Sequence, residues 1–190
     1  MLAGMQLDLF THLAECPQTA EDLASQLDVR PDRLSVLCYG LAAAHDFSPF
    51  QTMLDVGAGS GGFSLGLTEK WTHLDVTLVG TSCPGELLDS FDVAVLKNFL
   101  QVLSPNDAQS ALRNVIQTLH PGGRIYVTGH ILDDTRITPI ETARFNLVFL
   151  NIYENGQAYT RNEYETWLSE TGFADIVFLE DDLVTAIKPT

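Results

Sequence analysis

The stretch LDVGAGSGG, residues 54–62, constrains the chain more than any other. An apolar run, TMLDVG, stops at glycine, and SGGFSLGLTEKW follows with Phe63, Leu67 and Trp71 at helical spacing. Gly57, Gly59 and Gly61 therefore stand where a strand turns into a helix, and Gly62 completes a G-x-G-x-x-G pattern. Glycines at such a turn permit positive φ and let a ligand press directly against backbone amides. The helix that follows offers its N-terminus to negative charge. With a strand before it and a helix after it, the loop predicts a ligand; the competing account is a tight turn that holds nothing.

Strand and helix go on alternating after the loop. DVTLVG, FDVAVLKN and RIYVTGHIL read as strands. SPNDAQSALRNVIQTLHPGG reads as a helix with Ser104 as N-cap, Pro105 in its first turn and Gly122 just past its end. ETARFNLVFLNIY is apolar on nearly every side, which predicts a buried or interface helix. RNEYETWLSETGF reads as an amphipathic helix, and ADIVFLE with LVTAIKP suits a terminal antiparallel pair of strands. The class is α/β, a Rossmann-like, doubly wound, mostly parallel sheet over residues 47–190.

Residues 1–46 have a different texture. Met5, Leu9, Phe10 and Leu13 share one helical face, Thr19 and Asp22 suggest a capping box, and Leu34, Leu37, Cys38 and Leu41 follow Pro31 at helical spacing. Three short helices of this kind resemble a helix-turn-helix unit. DNA binding is not expected of it, because Arg30 and Arg33 face seven acidic residues there. The whole chain of 190 residues carries a formal charge of −15, so no nucleic-acid partner is expected. No apolar run is long enough to span a membrane, and MLAGMQLDLF lacks a signal peptide's basic flank, so the expected setting is cytoplasmic without membrane contact. Cys16, Cys38 and Cys83 have neither disulfide nor zinc spacing, and no metal site is expected.

The loop alone does not choose between a dinucleotide and S-adenosylmethionine. Both carry a ribose normally held by an acid at the tip of the second strand, about 20 residues on. Here that strand ends VTLVG and the position is Gly80; Glu86 and Asp89 are the next acids.

LDVGAGSGGFSLGL, then FDVAVLKNFLQVLSPNDA, then HPGGR before a strand, resembles the S-adenosylmethionine-dependent O-methyltransferases. Within them the chain looks most like the winged-helix branch that methylates hydroxyls of small aromatic and natural-product substrates. LDLFTHLAECPQTAEDLASQLDVRPDRLSVLCYGLAA is similar to that branch's dimerisation region, and FNLVFLNIYENGQAYTRNEYETWLSETGF to its substrate helix and the helix after it. The resemblance implies S-adenosylmethionine as cofactor, a small hydroxylated substrate and a homodimer. It implies cofactor contacts from Asp55, Gly57, Gly59, Ser60, Gly61 and Lys97.

Three departures bear on activity. The connection between the helical unit and the glycine strand is short, AAAHDFSPF. Residues 80–91 replace a helix, a strand and a helix; about eleven extended residues reach roughly 36 Å, enough to return along the sheet without a helix. The family's proton-accepting histidine, four residues after the lysine of LK, is here Gln101. Glutamine orients an acceptor but takes no proton from it. His130, at the end of RIYVTGH, is the candidate substitute base and also reads as a partly exposed strand-end histidine, and Asn146 and Asn151 are substrate candidates on an apolar helix that also read as partners of local backbone. Two other functions stay open at this point: a non-catalytic methyltransferase-like module that associates with a partner, and a nicotinamide-dependent oxidoreductase.

Overall fold

The computed structural model describes residues 45–59, 61–80, 90–180 and 182–190. The helices expected in the first 44 residues lie outside these, as does the boundary near residue 46 on its N-terminal side. Strand β1 (Thr52–Val56) leads into helix α1 (Gly62–Lys70), followed by β2 (Asp75–Val79) and β3 (Phe91–Lys97). A 3-10 turn at Leu100–Val102 precedes α2 (Pro105–Thr118), β4 (Leu119–Thr128) and the short β5 (Ile131–Leu132). Helix α3 (Ile140–Ile152), β6 (Tyr159–Thr160), α4 (Arg161–Glu170), β7 (Ala174–Glu180) and β8 (Leu183–Ile187) complete the described chain.

Six strands form one sheet in the order β2-β1-β3-β4-β8-β7. The first four run parallel, and β8 and β7 are antiparallel. This is the expected mostly parallel α/β sheet, with β2 and β3 flanking β1 in the same direction.

Period-two alternation on β3 feeds two cores. Val93 and Val95 face α1, packing with Met53, Phe63, Leu67, Trp71 and Tyr126. Ala94 and Leu96 face α2 and α4, packing with Leu112, Val115, Tyr164, Trp167 and Leu168. Burial on both faces explains why the parallel strands read as continuous apolar runs.

Ser104 caps α2 as expected, its hydroxyl accepting from the Asp107 amide at 3.2 Å, with Pro105 in the first turn. Two local readings change. Gly122 does not close α2: the helix runs straight into β4, and HPGG forms an outward bulge within the strand. Phe91 pairs with Leu119 and Val93 with Arg124, so two steps of β3 oppose five of β4. Lys188 pins the bulge, accepting from the Gly122 amide at 2.9 Å and donating to the Gly123 carbonyl at 2.8 Å.

RIYVTGHIL, read as one strand, breaks at Gly129, whose amide bonds Asp182 O at 2.9 Å. Beyond it, Ile131–Leu132 leaves the large sheet to pair with Tyr159–Thr160. Helix α3 is buried only in part. Phe149 and Thr142 are enclosed, while Ile140, Leu147 and Leu150 stay about three-fifths exposed (59%, 61% and 58%).

Candidate functional site

The parallel strands bring the C-terminal ends of β1, β3 and β4 to one rim, where open α/β sheets place their ligands. The glycine loop begins there. Gly57 and Ala58 donate to the Val79 carbonyl at 2.7 and 3.3 Å, and Gly61 donates to Ala58 O at 2.9 Å, so the loop is folded over the end of β2.

Two of its glycines do different work. Gly57 has φ +73°, and a Cβ there would lie 2.4 Å from Cδ2 of Phe99, so this glycine exists to admit an aromatic ring. Gly59 has φ +56°, and among the described residues its Cβ would meet only Gly57 O, at 4.0 Å. Gly59 therefore faces open space beside the backbone, the geometry a ligand needs. Gly80, at the tip of β2, likewise has no described residue within 4 Å of its would-be Cβ. Ser60 lies outside the described residues.

Asp55 sits beneath the loop on β1, 1% exposed. Its carboxylate accepts a 2.6 Å hydrogen bond from Ser64 Oγ on the first turn of α1. Burial pushes the carboxyl up to about 6, against the opposing pull of the Ser64 bond and of the Lys97 charge. Lys97, ending β3, places Nζ 5.1 Å from the centre of the Phe63 ring. Asp55 thus ties β1 to the first turn of α1 beneath the loop.

The neighbouring stretch of the rim is built from Asn98, Gln101, Gly129 and His130. Asn98 takes φ +52° and donates its amide to Thr128 O at 2.8 Å, turning the chain off β3. Gln101 is fully enclosed, its side-chain amide packed against Gly129, while Gly156 lies against its backbone carbonyl. By strict hydrogen-bond geometry neither side-chain polar atom of Gln101 is paired, nor is the buried Tyr164 hydroxyl, although the two side chains lie close enough for Gln101 to favour ionisation of that hydroxyl against its burial.

His130 is half-buried with its ring flat on Phe145, centroids 4.0 Å apart and planes 14° from parallel, and Phe149 packs edge-on at 5.8 Å. Burial holds its pKa below the usual histidine range, although the charge of Asp182 pulls the other way.

The two asparagines on α3 serve the backbone. Asn146 Oδ1 accepts from the Ala158 amide at 2.7 Å, and Asn151 Nδ2 donates to Leu147 O at 2.6 Å on the exposed side of the helix. The structure brings Gly57, Gly59, Gly61, Asp55 and Lys97 together around one loop, with Gln101 and His130 on the adjoining strand ends; Asn151 stands apart. Phe99, Ser64 and Phe145 were not singled out in the sequence. Only Ser64 carried a signal there, a hydroxyl in the first turn of the helix behind an acid-ended strand.

A family model described as a methyltransferase domain matches residues 12–177. The tetracenomycin polyketide synthesis 8-O-methyl transferase TcmO of Streptomyces glaucescens is 23% identical over 163 residues, covering 73% of this chain and 48% of that protein. The aclacinomycin 10-hydroxylase RdmB of Streptomyces purpurascens is 28% identical over 162 residues, covering 70% and 42%. The crystal structure of human N-acetylserotonin methyltransferase in complex with SAM superposes with a TM-score of 0.68 at 23% identity, over 78% of this chain and 50% of that one. That likeness shows the fold. The chain spans about half the length of the curated relatives it matches.

Proposed function

Since the chain belongs to the methyltransferase-domain family, we propose that it is an S-adenosylmethionine-dependent O-methyltransferase for a hydroxyl of a small aromatic or natural-product molecule. The observation that carries this is the open face of Gly59 in a glycine loop at the β1–α1 turn.

The residues present fit the cofactor. The loop glycines Gly57, Gly59 and Gly61 would cradle it with backbone, Ser60 between them being a further candidate contact, Lys97 would hold its carboxylate, and Asp55 holds the cradle's shape through Ser64. With no acid at the tip of β2, the ribose would rest beside Gly80, where the described residues leave space. When bound, S-adenosylmethionine supplies a methyl group on a sulfonium, open to in-line displacement.

The chain's contribution is chiefly positioning, which by itself is worth several kcal/mol of barrier. His130 is the group on the acceptor side able to take a proton, and Gln101 fixes the backbone on which it stands. Asn146 shapes the far wall by holding Ala158, and Asn151 lies on the same helix. The same reading includes a helix-turn-helix unit over residues 1–46 that pairs two copies into a homodimer. It also implies a cytoplasmic setting, with neither nucleic acid nor membrane as partner. Among the described residues no helix is long and apolar enough to cross a membrane.

Calorimetry with S-adenosylmethionine and S-adenosylhomocysteine tests the reading, with saturable binding expected for both. Gly59→Arg is expected to abolish it while leaving the thermal transition largely in place, because the side chain fills the ligand's space rather than the core. Unchanged affinity in that variant refutes the site. Product mass decides the chemistry: a gain of CH2 marks methyl transfer, and a gain of one oxygen marks the reaction for which RdmB is named.

A further inference from the structure

Among the described residues the rim beside the glycine loop offers little basicity, and this bears on which hydroxyls can react there. Among the described residues at the C-terminal ends of β3 and β4, Lys97 is a cation, and Asn98 and Gln101 are amides without a basic lone pair. The Gln101 side chain is moreover sealed between Gly129 and Tyr164, with no exposed surface. That leaves His130, one face of which is covered by Phe145. Its burial makes it a weaker base than a free imidazole, and the opposing charge of Asp182 does not overcome this.

An ordinary phenol has a pKa of about 10, more than three orders of magnitude above what an imidazole of pKa 6.5 or lower deprotonates at equilibrium. An acceptor that has already lost its proton in solution has no such deficit, and its negative charge favours approach to a sulfonium.

We propose that the acceptor is an acidic hydroxyl, one conjugated with a carbonyl or nitro group and ionised near neutral pH, and that the site takes it as the oxyanion. The inference rests on the methyl-transfer reading and narrows its substrate. In the transfer the oxyanion's lone pair forms the O–CH3 bond while the S–CH3 bond breaks and its pair returns to sulfur. No proton moves in that step; it left for solvent beforehand. Gln101 then needs no proton-accepting role, and its enclosure is compatible with turnover.

The test is a series of phenols of similar size and graded acidity, from alkyl-substituted to nitro-substituted, assayed for methyl transfer from pH 5 to 9. The absorbance of each nitrophenol is read separately in the complex with S-adenosylhomocysteine. The expectation is that kcat/KM follows the ionised fraction of each acceptor, with at least about a hundredfold preference at pH 7 for nitrophenols over alkyl phenols. The bound nitrophenol should show the phenolate band.

Equal rates for alkyl and nitro acceptors, falling on His130→Phe, overturn the inference by making His130 a competent base. A bound nitrophenol with the spectrum of the neutral form also overturns it. Binding of S-adenosylhomocysteine with no transfer to any of the series overturns the acceptor inference and leaves the cofactor site standing. Absence of that binding overturns the methyl-transfer reading and this inference with it.

Discussion

At the scale of single residues, Gly57 and Gly59 make a paired experiment, because one sits against Phe99 and the other against open space. Gly57→Ala is expected to cost roughly 2–3 kcal/mol, from a clash with an aromatic ring that is itself packed, added to the strain of positive φ. Gly59→Ala carries the strain alone, about 1 kcal/mol. Urea denaturation checks the order, and equal losses would refute the distinct roles.

Asp55 adds a pH dependence whose sign is fixed. Folding raises its carboxyl from 3.8 to about 6, so the fold prefers the protonated form. That stabilisation is complete below about pH 4 and disappears as pH climbs through 6, a swing of about 3 kcal/mol. Asp55→Asn keeps an acceptor for Ser64 and removes the titration. The difference in stability between variant and parent is expected to shift in the variant's favour by about 2–3 kcal/mol from pH 4 to 7. A difference that stays flat with pH would show that the carboxylate is solvated.

At the scale of elements, the strands and helices whose periodicity is driven by burial were legible in the sequence. β1, β3, α1, α2 and α4 fall where the apolar spacing puts them, because each buries a stripe or face, and the edge strand β2 falls in place although only Val79 of it is buried. What was not legible depends on contacts distant in the chain. The break after Thr128 follows from the bond between the Gly129 amide and Asp182 O, 53 residues away along the chain. The HPGG bulge is held by Lys188. Likewise the glycine loop announced itself, whereas Phe99, which abuts it, carried no local pattern. The sealing of the Gln101 side chain depends on Gly129 and Tyr164, neither of which is near it in sequence.

Helix α4 shows the opposite case, a start fixed locally. The Thr160 hydroxyl accepts from the Glu163 amide at 3.2 Å while Glu163 Oε2 accepts from the Thr160 amide at 2.8 Å. Glu163 also holds Arg136 at 2.7 Å. Thr160→Ala is expected to lower stability by about 1 kcal/mol, measured by thermal or urea unfolding. Thr160→Ser should restore most of it.

At the scale of the whole molecule, 25 acidic residues against 10 basic ones load the surface with one sign of charge. Self-repulsion of this kind opposes compactness and is screened over a Debye length of about 10 Å at 0.1 M salt. The melting temperature is therefore expected to rise as sodium chloride increases from about 0.01 to 0.5 M, most steeply at the low end. A flat or falling curve would mean that the acids are locally compensated.

The strand order has a consequence for biosynthesis. β8, residues 183–187, is inserted between β4 and β7 and is made after every other strand of the sheet. Until those residues leave the ribosome, the nascent polypeptide holds β4 with one flank unpaired beside strands already able to assemble. The sheet therefore closes after translation of this region is finished, and the interval before closure is when the emerging chain most needs shielding by a holdase.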